Sequence, residues 1–148
     1  MDWIEESKRI FKAAKPDHFT NYTHCEECAE HDETLRNSNA ESIGMEELGK
    51  VGWDPMCFCT VEGKKYYMPA LIRLCMDTLN SDEPYLGQFL FHLEGDGENN
   101  ELVMDCTPEQ RRFIASFMAY LIEQHAKEIE LDFSTNEALR VHEIWKKA

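Results

Sequence analysis

Apolar side chains recur at helical spacing in several stretches of the chain and predict most of its secondary structure. Over residues 2–14 they fall at intervals of three and four with charged residues between them, which is typical of an amphipathic helix. The same spacing predicts a long helix over residues 108–127, introduced by the capping-box pattern of Thr107 and Gln110. Further helices are predicted over residues 24–37, over residues 69–79 and from Ser134 onward.

Two other stretches favour β-structure. Residues 56–60 and 64–67 flank the short segment Val61-Glu62-Gly63, and this arrangement predicts a β-hairpin. Residues 85–93 are strongly apolar, with a period that fits either a strand or a helix. The predicted fold class is therefore α+β, a mainly helical domain with one or two β-hairpins.

Length and composition predict one folded unit. The chain has 148 residues, of which 43% are hydrophobic, a share that is normal for a globular protein. It contains no internal repeat, no low-complexity tract and no linker that would divide it. We therefore expect a single domain over residues 1–148.

The chain is strongly acidic, which excludes two classes of binding protein. It has 15 Lys and Arg residues against 29 Asp and Glu residues, giving a formal net charge of −14. Nucleic-acid-binding proteins need a basic face, and so do peripheral proteins held on anionic lipid. The sequence also has no apolar run of membrane-spanning length and begins with charged residues, so we expect a cytoplasmic protein without a membrane segment.

The acidic residues are concentrated in the middle of the chain. No Lys or Arg occurs between Arg73 and Arg111, while acidic residues are frequent there. A surface of one charge sign steers and orients an oppositely charged partner. This stretch is interpreted as a solvated acidic loop, and its functional interpretation is a surface for a basic protein partner.

A candidate chemical site lies in the segment from His24 to His31. Within these eight residues, His24, Cys25, Cys28 and His31 provide two thiols and two imidazoles. Zinc binds these ligand types in a tetrahedral arrangement. On a helix, His24, Cys28 and His31 would share one face, and Cys25 would neighbour Cys28. The sequence therefore predicts that these four residues hold a structural zinc ion.

The conformation of this segment decides which ligands can meet. Thr23 and Glu26 form a capping-box pattern, which predicts a helix that begins near residue 24. In a loop, the Cys-x-x-Cys pair would instead form a knuckle, and Cys57 and Cys59 would be candidates to complete the site.

Two alternatives to zinc binding remain open from the sequence. His24, Cys28, His31 and Leu35 also fit the inward face of an ordinary amphipathic helix, because a free cysteine packs like a small apolar residue. Thiol redox chemistry is the other alternative, since Cys25 would lie at a helix N-terminus. Three glutamates surround Cys25, however, and their charge is expected to raise the pKa of its thiol.

Three segments of the chain resemble a family of small uncharacterised bacterial proteins. These segments are Tyr22–Asp32, which contains Tyr-Thr-His-Cys-x-x-Cys-Ala-Glu-His, together with Gly52–Phe58 and Glu62–Ala70. The helix start at Pro108 adds to the likeness. The resemblance implies a bacterial cytosolic domain of unknown function, and it implies no catalytic residues.

Taken together, these observations predict a non-enzymatic acidic interaction protein with a structural zinc site at His24, Cys25, Cys28 and His31. The alternative hypothesis is a metal-dependent or thiol-dependent enzyme centred on the same residues. A structural zinc is enclosed by four protein ligands, whereas a catalytic zinc keeps one position open.

Overall fold

The structure, a computed structural model, describes residues 1–148 and consists of helices joined by short loops. No residue lies in a β-strand. The nine α-helices are α1 (Trp3–Ile10), α2 (Glu26–Arg36), α3 (Met45–Leu48), α4 (Val61–Thr78), α5 (Leu86–Glu94), α6 (Glu101–Asp105), α7 (Pro108–Gln124), α8 (Ala126–Leu131) and α9 (Thr135–Lys147). Three 3₁₀ helices cover Val51–Trp53, Pro55–Phe58 and Gly97–Asn99.

The predicted α+β class is wrong, because the segment expected to form a β-hairpin is helical. Thr60 caps α4, and its hydroxyl accepts a hydrogen bond from the Gly63 N–H at 3.1 Å. Gly63 resembles a turn residue in the sequence, but it is required for close packing. A Cβ at this position would lie 2.5 Å from Cys59 Sγ and 2.8 Å from the Phe19 ring. The protein is therefore an all-helical domain.

The boundaries of several helices differ from the predicted ones. The ambiguous stretch of residues 85–93 forms α5. Helix α7 begins as predicted, with the Thr107 and Gln110 capping box formed. It ends at Gln124, because the backbone of His125 is not helical and separates α7 from α8. Pro69, expected at the start of a helix, instead lies inside α4. The residues that α4 buries include both Pro69 and Tyr67.

The core is built around α4 and α7. On one side, Trp3 of α1 packs against Phe117 of α7, with the ring centroids 5.4 Å apart. On another side, the fully buried Trp145 of α9 donates a hydrogen bond to the Leu93 carbonyl of α5 at 3.0 Å. None of the helices combines the length and the hydropathy needed to cross a lipid bilayer.

Helix α2 is attached to this core near its C-terminal end. The Tyr67 hydroxyl of α4 donates to the Leu35 carbonyl of α2 at 2.5 Å, and both residues are fully buried. At its other end, α2 presents Cys25 and Cys28 near the surface. One end of α2 is thus attached to α4, and Cys25 at the other end is exposed.

Candidate metal centre

The Cys-x-x-Cys pair lies at the N-terminus of α2, where Cys25 is the N-cap residue. Its backbone is extended, and its Sγ accepts a hydrogen bond from the Cys28 N–H at 3.4 Å. The predicted capping box is wrong, because Thr23 lies outside the helix and its hydroxyl donates to Asn21 Oδ1 at 3.2 Å. The thiol of Cys25 therefore takes the capping role that a serine or aspartate side chain usually fills.

Three of the four predicted ligands lie together. The Sγ atoms of Cys25 and Cys28 are 3.2 Å apart, and Cys28 Sγ is 3.6 Å from His24 Nδ1. Ligand atoms of all three residues lie within 4.8 Å of one another. His24 and Cys25 are exposed, whereas Cys28 is buried with 7% of its surface accessible. The group is open to solvent on the side of His24 and Cys25.

His31 does not belong to this group. Its ring is fully buried and stacks on Phe58, with the ring centroids 4.8 Å apart. The centroid of the Trp53 ring lies 4.5 Å from that of His31. Its Nε2 lies 3.2 Å from Glu27 Oε2. The expected convergence of four ligands assumed a helix from residue 24, but α2 begins at Glu26. His24 therefore does not share a continuous helical face with His31.

The second cysteine pair is also separate from the group. Cys59 is buried beneath Gly63, and burial raises the pKa of its thiol to about 12. Cys57 is exposed and lies in a different cluster with Asp54 and His92. The sequence analysis missed that cluster, since His92 is distant from Asp54 and Cys57 in the chain. Nothing in the spacing of these residues indicates that they meet.

The pKa of Cys25 is lowered, whereas the sequence predicted that it is raised. The hydrogen bond from the Cys28 N–H, followed by the contacts with the Cys28 thiol and with His24, lowers the pKa of Cys25 to about 7. The contact with Cys25 correspondingly raises the pKa of Cys28. The expectation that the neighbouring glutamates raise the pKa of Cys25 is wrong, because an N–H donor at the helix end favours the thiolate.

A buried carboxylate fixes the loop in front of the cysteines. Asp32 Oδ1 accepts hydrogen bonds from the N–H groups of Phe19 and Thr20 at 2.6 and 3.1 Å, and its Oδ2 lies 2.7 Å from His18 Nδ1. The Thr20 hydroxyl donates to the Cys28 carbonyl at 2.7 Å. Asp32 and Thr20 together hold the backbone on both sides of the site.

Known proteins give no further guide to this site. Comparison with protein-family models, with curated proteins and with solved structures finds no match for the chain. The resemblance to an uncharacterised bacterial family stays a prediction. What can be said of function therefore rests on the all-helical fold and on the geometry of its thiol and imidazole groups.

Proposed function

We propose that this protein is a zinc-binding interaction protein whose ion is held by His24, Cys25 and Cys28. The observation that carries the proposal is the proximity of two sulfurs and one imidazole nitrogen at the N-terminus of α2. Thiolate and imidazole are the ligands that zinc prefers, and the lowered pKa of Cys25 makes one thiolate available near neutral pH.

One of the two distances between neighbouring ligand atoms matches a tetrahedral ion. With Zn–S of about 2.3 Å and Zn–N of about 2.05 Å, tetrahedral geometry places sulfur and nitrogen about 3.6 Å apart and two sulfurs about 3.8 Å apart. The separation of Cys28 Sγ from His24 Nδ1 is 3.6 Å. The two sulfurs, at 3.2 Å, are closer than this but well beyond disulfide bonding distance of about 2.05 Å. A tetrahedral ion therefore requires the sulfur of the exposed Cys25 side chain to move about 0.6 Å away from that of Cys28.

The chain offers three ligands, so the fourth position of the ion is open. His31, the predicted fourth ligand, is enclosed by Trp53 and Phe58. We infer that water or a side chain of a bound protein fills the fourth position. A partner side chain in this position would join the metal site to the interaction role, whereas water there would fit the alternative of a metal-dependent enzyme.

Elemental analysis of untagged protein tests the proposal. The measurement uses the Cys57→Ser variant, which removes the thiol of the separate cluster. We expect about one zinc ion per chain in this variant and a clear loss of zinc after adding Cys25→Ser or His24→Ala, since loss of a direct ligand should weaken binding more than the roughly 10–100-fold that loss of an outer partner causes. His24 and Cys25 are exposed, so their substitution leaves the core intact.

A matched change separates ligand loss from general loss of charge. Glu30→Gln removes a negative charge from the exposed face of α2 and should leave the zinc content unchanged. Equal zinc content in the Cys25→Ser protein and its parent would contradict the proposal. So would metal-free parent protein that stays metal-free after dialysis against zinc.

Thiol redox chemistry is the second candidate, and the exposed Cys25 with its lowered pKa favours it. If the protein is metal-free, incubation with a glutathione redox buffer followed by thiol trapping shows whether a Cys25–Cys28 disulfide forms. Formation of this disulfide near the cytosolic potential would support the thiol-dependent enzyme over the zinc protein.

The acidic surface supports a basic protein as the partner. Glu94 and Asp105 are paired with Arg140 and Lys65, but Asp96 and Glu98 are exposed and have no ion pair. Unpaired surface carboxylates are available to steer a basic partner.

Calorimetric titration with an oligo-lysine peptide tests this part of the proposal at physiological salt. We expect the double change Asp96→Asn with Glu98→Gln to weaken binding more than the matched double change Glu123→Gln with Glu130→Gln on α7 and α8. Equal weakening would show that only net charge matters and that this surface is not a specific interface.

A further inference from the structure

We propose that Asp54, Cys57 and His92 form a second site for a zinc-class divalent cation, independent of the site at α2. A carboxylate oxygen, a thiol sulfur and an imidazole nitrogen of these residues lie within 4.8 Å of one another. Asp54 is the N-cap of the 3₁₀ helix Pro55–Phe58, and Cys57 lies within that helix. His92 lies on α5. The fold therefore brings together ligands from two separate elements.

Two of the three groups are held in place by the core. Asp54 and His92 are both buried, with 3% of their surface accessible, and His92 Nε2 lies 2.9 Å from Asp54 Oδ2. The Met56 N–H and the Gln88 side-chain amide also donate to Asp54, each at 2.9 Å. The bonds from Met56 and Gln88 fix the position of the carboxylate before any ion arrives, which lowers the cost of organising a site. An ion bound to His92 Nε2, by contrast, replaces the bond between His92 and Asp54.

Unpaired buried polar atoms at this place point to a missing ligand. His92 Nδ1 is buried and has no hydrogen-bond partner. The Tyr85 hydroxyl is also buried without a partner, and burial together with the nearby Asp54 charge raises its pKa well above the ordinary value. Unsatisfied buried polar groups of this kind accompany bound ions, ordered water or catalytic roles. Two of them beside one cluster of ligand side chains favour a bound ion.

The third ligand connects the site to solvent. Cys57 is exposed, and together with Asp54 it lines a cleft of about 510 Å³ whose walls include Phe91, Gln88 and Pro84. The cleft gives an ion a path to Asp54, and His92 lines a second cleft that also contains Cys57. The first cleft also leaves a coordination position facing solvent, the arrangement of a zinc ion that keeps a water molecule.

The ligand types select the class of ion. One thiol, one imidazole and one carboxylate suit zinc or cobalt and suit magnesium or calcium poorly, since these two prefer oxygen ligands alone. On binding, the metal displaces the proton of the Cys57 thiol, so one proton is released and one metal–sulfur bond forms.

The test uses protein that lacks the first site. In the His24→Ala, Cys25→Ser background, calorimetric titration with Zn²⁺ should show one ion bound per chain. Titration with Co²⁺ should produce thiolate-to-cobalt absorption. Adding Cys57→Ser should weaken Zn²⁺ binding at least about 100-fold and abolish that absorption, because loss of a direct ligand costs more than loss of an outer partner.

A neighbouring carboxylate provides the control. Glu101 is exposed and lines the adjoining cleft with Cys57 and His92, so Glu101→Gln should leave the Zn²⁺ affinity within about twofold. The proposal is overturned if the background protein binds no ion, or if Cys57→Ser and Glu101→Gln weaken binding equally. Circular dichroism confirms that each variant is folded. Because the first site is absent throughout, the result does not depend on whether His24, Cys25 and Cys28 bind zinc.

Discussion

The carboxylate of Asp54 and the imidazole of His92 are joined by a hydrogen bond of 2.9 Å, although the residues are 38 positions apart in the chain. This contact fastens the 3₁₀ segment in front of α4 to helix α5. Because both side chains are buried, the interaction is shielded from water and from salt. Asp54 is consequently a structural residue as well as a candidate ligand, and the two roles can be separated by experiment.

Asp54→Ala is expected to destabilise the metal-free protein by about 2–4 kcal/mol. The substitution leaves the N–H of Met56, the amide of Gln88 and the imidazole of His92 without their acceptor, and a buried donor without a partner costs about 1–3 kcal/mol. Urea unfolding in the presence of a chelator measures the change. The exposed Asp82→Ala should cost less than about 0.5 kcal/mol. Similar stabilities of the two variants would contradict the structural role.

Asp32 should make the stability dependent on acid pH. Burial alone would raise the pKa of this carboxyl, but the hydrogen bonds from His18 and from the N–H groups of Phe19 and Thr20 outweigh burial and lower the pKa below its ordinary value of 3.8. A lowered pKa in the folded state stabilises the protein at pH values above 3.8. This stabilisation is lost as the pH falls through the lower pKa of the folded protein.

Replacing this residue tests the assignment. Asp32→Asn should cost about 1.5–3 kcal/mol at about pH 7, and the difference from wild type should shrink at about pH 3. Urea unfolding at both pH values measures it, with the exposed Asp17→Asn, in the loop that Asp32 holds, as the matched change. A difference that is constant with pH would show that the charge of Asp32 is not what stabilises the fold.

The parts of the fold that depend on neighbouring residues could be predicted from the sequence. The start of α7 is an example, because Thr107 and Gln110 satisfy each other's backbone groups within one turn. The apolar residues that follow them recur at helical spacing and fit no strand. Such elements carry their own start signal and need no information from distant parts of the chain.

Two of the failures have their physical origin in contacts between distant residues. Gly63 was interpreted as a turn residue, but its lack of a side chain allows close packing against Phe19, which lies 44 positions earlier in the chain. His31 was expected to bind metal, but Trp53 and Phe58 enclose its ring. At the candidate site, the proximity of His24, Cys25 and Cys28 follows from local sequence. The cluster of Asp54, Cys57 and His92 forms only through the tertiary fold.

Gly63→Ala should destabilise the protein by about 1–3 kcal/mol, despite the higher helix propensity of alanine. The added Cβ would lie 2.5 Å from the sulfur of the buried Cys59 and 2.8 Å from the fully buried ring of Phe19, so both must move. Gly87 of α5 is the matched control, because its Cβ would meet no atom closer than 3.9 Å. Gly87→Ala should stabilise by about 0.5–1 kcal/mol. Thermal unfolding of both variants should therefore shift in opposite directions, and a stabilising Gly63→Ala would refute the packing explanation.

The two exposed cysteines should differ sharply in reactivity. The Cys28 N–H and the neighbouring thiol and imidazole lower the pKa of Cys25 to about 7, whereas burial, followed by the Asp54 charge, raises the pKa of Cys57 above its ordinary value of 9.0. At about pH 7, half of Cys25 is then thiolate, against less than about 1% of Cys57. In chelator-treated protein, mass spectrometry of iodoacetamide labelling should give a rate at Cys25 that is half-maximal near pH 7.

The cause of this reactivity can be separated from simple exposure. Cys57→Ser should leave the labelling profile of Cys25 unchanged, since Cys57 is not among the groups that act on the Cys25 thiol. His24→Ala should raise the midpoint, because it removes one of the contacts that favour the thiolate. Added zinc should protect Cys25 more strongly in the parent protein than in the His24→Ala variant, since the imidazole is also a proposed ligand. A midpoint for Cys25 near 9.0 would show that the helix N-terminus does not activate this thiol.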